Sequence, residues 1–212
     1  GAQTVNDWAT ALDEGAANES GQTLSFALTN DNNSLFSAQP AIDASGNLSY
    51  TPAAEASGSA TVSIVLSDDG GTANGGDDTF TTQTFDITVN AVNDEPSFTK
   101  GADQTPLEDA GAVTDVGWAT GISVGPADES GQALTFNVTT DSDASFDVLP
   151  AINPGTGTLT YTMNDDYNGS AITVTVNLSD DGGTANGGVD AAADQTFTIT
   201  VTDVNDVPVS TK

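Results

Sequence analysis

The sequence predicts an all-β protein: two tandem Greek-key β-sandwich modules arranged end to end. Three observations carry that expectation. The eleven-letter stretch "LSDDGGTANGG" occurs at Leu66 to Gly76 and again at Leu178 to Gly188, and its flanks align as well, with Trp8 matching Trp118 and Asp94 matching Asp206. Apolar residues recur at every second position, the period of a half-buried strand. Clusters of Gly, Asn, Asp and Pro separate these runs and leave little room for helices. An internal repeat of 110 residues (Trp8 to Trp118) to 112 residues (Leu66 to Leu178) divides the 212-residue chain into two modules of ordinary domain size. The expected modules are residues 1–95 and residues 96–212.

The strands follow in order. In "TLSFALT" Leu24, Phe26 and Leu28 face inward, in "TVSIVLS" Val62, Ile64 and Leu66 do, and in "TFDITVN" Phe85, Ile87 and Val89 do. Their second-copy counterparts are Leu134, Phe136 and Val138, then Val174, Val176 and Leu178, then Phe197, Ile199 and Val201. Trp8 and Trp118, each before a turn, and Tyr50 and Tyr161, each late in a strand, are expected to pack in the core. The start is less symmetrical. "GAQTVNDWAT" at Gly1 aligns with "GAVTDVGWAT" at Gly111, so the first copy has no counterpart of Gly101 to Ala110, and its first edge strand is expected to be missing.

Composition narrows the function. Thirty-one carboxylates against two basic residues give a formal charge of −29, which repels nucleic acid and anionic lipid and repels itself unless cations are held nearby. Neither nucleic-acid binding nor membrane insertion is expected, and no apolar run reaches membrane-spanning length. Without cysteine no disulfide can staple the modules, so metal is the expected source of rigidity. The two lysines, Lys100 and Lys212, stand one repeat apart. A chain that opens with Gly, without a signal peptide, is expected of an internal segment of a longer protein.

Acidic side chains gather where strands end. The repeated loop carries Asp68 and Asp69, and in the second copy Asp180 and Asp181, followed by glycines that let the backbone turn tightly. Adjacent carboxylates are hard oxygen donors of the kind calcium takes in sets of six to eight. A second cluster closes each module, "AVNDEP" with Asn93 and Asp94 and "DVNDVP" with Asn205 and Asp206, where proline ends strand pairing. A third, "LEDAG", holds Glu108 and Asp109.

Carried by these motifs, the chain resembles a cadherin repeat, a relative in architecture of the immunoglobulin-like sandwiches. It is more closely similar to the bacterial cadherin-like tandem repeats of giant secreted adhesins. "LSDDGG" matches the A-x-D-x-G element through Asp68 and Gly70 and through Asp180 and Gly182. "VNDEPSF" and "VNDVP" match the D-x-N-D-N-x-P-x-F linker through Asn93 and Asp94 and through Asn205 and Asp206. Glu55 stands at the L-D-R-E element, with Asp165 and Asp166 in the second copy; Glu129 keeps one acid of the D-x-D element; Glu108 is similar to the early glutamate. The resemblance implies calcium between successive modules, one or two ions held by ligands drawn from Glu55, Asn93, Asp94, Glu129 and Asp180.

The expected function is a non-enzymatic extender or adhesion repeat of a large bacterial surface protein, extracellular and stiffened by calcium. Its partners are neighbouring repeats of the same chain. The alternative is a module that binds cell-surface polysaccharide with the help of calcium, or that adheres to like modules; Phe80 and Tyr167, aromatic in one copy only, are its candidate residues. "DSDASFDVLPAI" is not an EF-hand, since Phe146 stands where that loop needs Gly and Ile152 where it needs Glu. Without histidine or cysteine, and with acids confined to glycine-rich end loops, no catalytic constellation is expected.

Overall fold

A computed structural model describes residues 1–208; Lys212 lies outside the described residues. The architecture is all-β, two compact sandwich units in tandem, Gly1–Ala91 and a second that begins at Val92.

The first unit consists of β1 (Gln3–Val5), β2 (Ser25–Asn30), β3 (Phe36–Ile42), β4 (Leu48–Pro52), β5 (Gly58–Ser67) and β6 (Gln83–Val89). They form two three-stranded antiparallel sheets, β1-β4-β3 and β2-β5-β6. The chain crosses between sheets after β1, β2 and β4, which is Greek-key connectivity. Alternation does what the sequence requires: Val62 and Ile64 of β5 and Ile87 of β6 point to the buried face, where they meet Phe36 and Leu48 from the other sheet and Leu35 from the 3₁₀ turn before β3.

The second unit begins with a short strand that the first lacks, β7 (Ser97–Thr99), followed by β8 (Ala112–Asp115), β9 (Thr120–Ser123), β10 (Thr135–Thr140), β11 (Phe146–Ile152), β12 (Leu159–Met163), β13 (Ile172–Ser179) and β14 (Gln195–Ile199). Sheets β8-β12-β11 and β10-β13-β14 repeat the first unit's pairing. Two pairings are added. β7 pairs with β9, and residues 104–107 run parallel to the free edge of β14, with bridges Gln104 to Ile199 and Leu107 to Thr202. Trp118 and Tyr161 are fully buried in this unit's core, and Trp8 and Tyr50 pack half-buried against the first unit's core.

Each copy of the repeated loop makes a single 3₁₀ turn, Ala73–Gly75 or Ala185–Gly187, whose middle Asn adopts a left-handed conformation (φ 58° and 57°). Both loops close in the same way: the Asp68 amide donates to the Asp78 carbonyl at 3.1 Å and the Asp180 amide to the Asp190 carbonyl at 3.0 Å.

Candidate cation sites at the two ends of the second unit

The first site gathers four predicted residues within one unit. Asn93, between β6 and β7, is buried against the loop that follows β13; its Nδ2 donates to Asp180 Oδ1 at 2.9 Å and to the Val189 carbonyl at 2.7 Å, and its Oδ1 accepts from Gln132 Nε2 at 2.6 Å. Its own carbonyl accepts from the Val189 amide at 2.9 Å. Asp94 donates its amide to Glu129 Oε1 at 2.6 Å. Residues 92–96, a linker in the sequence, thus lie against the second unit.

Glycine is needed here for space. A Cβ on Gly182 would collide with the Asn93 side chain, and one on Gly125 with Glu129 Oε2. The repeated "DDGG" therefore does two jobs. Asp180 Oδ1 also caps the amide of Gly182 at 2.9 Å, as Asp68 Oδ1 caps Gly70 at 2.8 Å. The second aspartates tie down the neighbouring loop, Asp69 accepting from the Thr23 amide at 2.8 Å and Asp181 from the Ala133 amide at 2.7 Å.

Two carboxylate oxygens at this site, Glu129 Oε2 and Asp180 Oδ2, are buried without a hydrogen-bond partner. An ionised carboxylate removed from water without compensation costs several kcal/mol or more. A hard cation held at these oxygens would offset that cost, and carboxylate and amide oxygens are the donors that calcium takes.

The second site lies at the other end of β13, since Asp180 follows that strand and Asp166 precedes it. Carboxylate oxygens of Asp109, Asp166 and Asp206 all come within 4.8 Å of one another on the surface. Glu108 beside them is buried, and its Oε2 accepts from the Val204 amide at 3.0 Å, which anchors the last segment. Asn205 Nδ2 turns to the Asp206 carbonyl at 3.1 Å. Asp109 and Asp166 both hold left-handed backbone (φ 59° and 57°), the turn that brings their side chains together. Sequence reasoning had Asp206 but did not join it to these two; no spacing rule links residues 109, 166 and 206.

The other predicted residues fall in the first unit. Glu55 is exposed at a left-handed turn (φ 55°), the position Asp166 takes in the second unit. Asp68 lines an acidic hollow of about 240 Å³ with Asp13, Glu14, Glu19, Asp77 and Asp78. The aromatic candidates part company. Tyr167 packs on the core and donates its hydroxyl to the Ser170 carbonyl at 3.0 Å, so it offers no free platform, whereas Phe80 is 61% exposed.

No protein-family model and no curated protein matches the chain. Among solved structures it is similar to the crystal structure of human protocadherin-24 EC1-2, at TM-score 0.49 and 15% identity over 89% of this chain and 85% of that one. A second crystal form of the same protein gives TM-score 0.49 and 15% identity over 86% and 83%. No helix among the described residues is long and apolar enough to cross a membrane.

Proposed function

We propose that this chain is a non-enzymatic, calcium-binding adhesion repeat, an extender segment of a large bacterial protein that works outside the cell. One observation carries the reading: Glu129 Oε2 and Asp180 Oδ2 are buried and unpaired beside Asn93 and Asp94. The motif resemblance supports the same residues from the sequence side. The charge of −29 supports a protein whose folded form is screened by bound cations.

Calcium at this site would neutralise the buried Glu129 and the half-buried Asp180 and draw further oxygens from Asp94. The protein's own residues do the rest. Asn93 spans Asp180 and Gln132, and Asp94 caps onto Glu129, so residues 92–96 stay pinned to the second unit. The Asp109, Asp166 and Asp206 cluster is the second ligand set, more exposed and therefore weaker.

Calorimetric titration of chelator-treated protein tests this. At the 10⁻⁴ to 10⁻³ M affinity of extracellular calcium modules, about 10-fold excess over Kd stabilises the fold by roughly 1.4 kcal/mol per site. Glu129→Gln and Asp180→Asn should each remove the tighter isotherm and leave the weaker one. Magnesium should substitute poorly because it holds its waters and demands tight octahedral geometry. A melting curve identical in calcium and in chelator would overturn the proposal.

A further inference from the structure

The two units present the same receiving surface, and only the second has it covered. There residues 92–108 run across one end and along one edge of the sandwich. Phe98, 8% exposed, stands edge-on to Phe136 with ring centroids 5.0 Å apart. The Phe98 carbonyl accepts from Gln195 Nε2 at 3.2 Å, and the Ala102 carbonyl accepts the Trp118 indole N–H at 2.8 Å. The segment then joins β14 as a parallel edge strand: the Gln104 amide donates to the Thr198 carbonyl at 2.8 Å, the Thr200 amide to the Gln104 carbonyl at 2.9 Å, and the Thr198 amide to Asp103 Oδ1 at 2.9 Å.

The first unit keeps each receiving group. Phe26, Gln83, Trp8 and β6 stand where Phe136, Gln195, Trp118 and β14 stand in the second, yet nothing in the first copy corresponds to Phe98, Ala102 or Gln104. An apolar groove of about 380 Å³ remains, lined by Trp8, Leu12, Phe26, Leu66, Phe80 and Phe85 among others. The acidic hollow beside it is where Asn93 lies in the second unit. Gln83 turns its amide to the Thr81 carbonyl at 3.2 Å instead. β6 pairs only with β5, so its outer edge presents the amides of Asp86 and Thr88, counterparts of Thr198 and Thr200.

We propose that this groove and the β6 edge form an acceptor site for an extended polypeptide strand of the same type as residues 92–108, which adds to the sheet parallel to β6. Its occupant carries an Asn for the acidic hollow, a Pro two residues ahead of a Phe for the groove, and free backbone beyond it for the edge. Backbone pairing supplies affinity, and the Phe pocket supplies specificity. An unpaired edge next to an apolar groove is otherwise a liability for association.

The test is a synthetic peptide of residues 92–108 titrated into the full chain in chelator, so that its outcome is independent of calcium, with amide exchange and the Trp8 indole resonance followed by NMR. The expected result is at least 10-fold slower exchange at Asp86 and Thr88 and a shifted Trp8 N–H, with binding at least 10-fold weaker for the peptide carrying Phe98→Ala. A second arm fuses residues 92–110 ahead of Gly1, which removes the cost of bringing two molecules together. Absence of protection in both arms would overturn the proposal. So would equal binding by the Phe98→Ala peptide, or a dimer formed without peptide in which residues 92–108 leave their own unit.

Discussion

The two units differ most where their sequences agree most. Leu66 and Leu178 open identical eleven-residue stretches, and Phe85 and Phe197 sit in matching strands, yet Leu178 and Phe197 are 0% and 2% exposed while Leu66 and Phe85 are only half-buried. The aromatic pair beneath is preserved: Trp8 lies 4.5 Å from Phe85 at 47°, Trp118 lies 4.6 Å from Phe197 at 52°. Packing geometry is thus set locally by the strands, whereas exclusion of water from it is set by a segment remote in the sequence from β13 and β14, residues 96–107. The alternation of a strand states which face is inward. It does not state whether anything covers that face.

The largest effect this comparison predicts is at the tryptophans. Trp118→Ala removes a side chain that is 4% exposed and hydrogen-bonded through its indole, and should cost about 3–5 kcal/mol. Trp8→Ala should cost roughly half of that, because a half-buried side chain has less area to return to water. Denaturant titrations read by resonances of each unit separately would measure both. Equal losses would mean that the covering segment contributes little to burial.

Tyrosine gives a smaller contrast, read by pH. Burial, and secondarily the negative charge of Asp115, pushes the Tyr161 hydroxyl up from 10.0 to about 12. The folded state therefore holds this proton more tightly than the unfolded state. Its contribution is fully present below pH 10 and is lost between pH 10 and 12, by about 2–3 kcal/mol at most. Tyr161→Phe should abolish that alkaline loss. At neutral pH it should be close to neutral, since the buried hydroxyl has no partner to lose. A Tyr161→Phe variant as alkali-sensitive as the parent would refute the assignment.

How much of this was legible in the sequence follows from the range of each interaction. The inward set Val62, Ile64 and Ile87 follows from period two and the turn residues, whereas the pairing of β2 with β5 does not, since β3 and β4 of the other sheet lie between them in the chain. The cluster of Asn93, Asp94, Glu129 and Asp180 was legible only through motif resemblance, because these residues are brought together by topology. Gln132, which closes the ring around Asn93, belongs to the run Glu-Ser-Gly-Gln repeated at 19–22 and 129–132, a pattern that marks the duplication but not the contact with Asn93. Within "SDDGG" the motif resemblance singled out Asp180, but no sequence feature assigned its neighbour Asp181 a different task. One borders the candidate site and the other accepts an amide from the loop across the sheet, a division that depends on which way each carboxylate points.

The smallest effect tests the comparison at a single backbone position. Gly121 in β9 and Ala11 are equivalent, and both are left-handed, with φ of 60° and 57°. In the second unit glycine meets this conformation without steric cost, and β9 pairs there with β7. In the first unit alanine meets it in a stretch that forms no strand. A Cβ in left-handed backbone costs on the order of 1 kcal/mol, offset in part by the larger unfolded-state freedom of glycine. Ala11→Gly should therefore stabilise the first unit by about 0.5–1 kcal/mol, and Gly121→Ala should destabilise the second by a similar amount. Space is not the issue, because a Cβ on Gly121 would come no closer than 3.8 Å to Thr99 Oγ1. Unit-resolved amide exchange would measure each change. If Ala11→Gly stabilises nothing, the first unit relaxes out of the left-handed turn in solution; if Gly121→Ala costs several kcal/mol, the β7–β9 pairing contributes far more than its three-residue strand suggests.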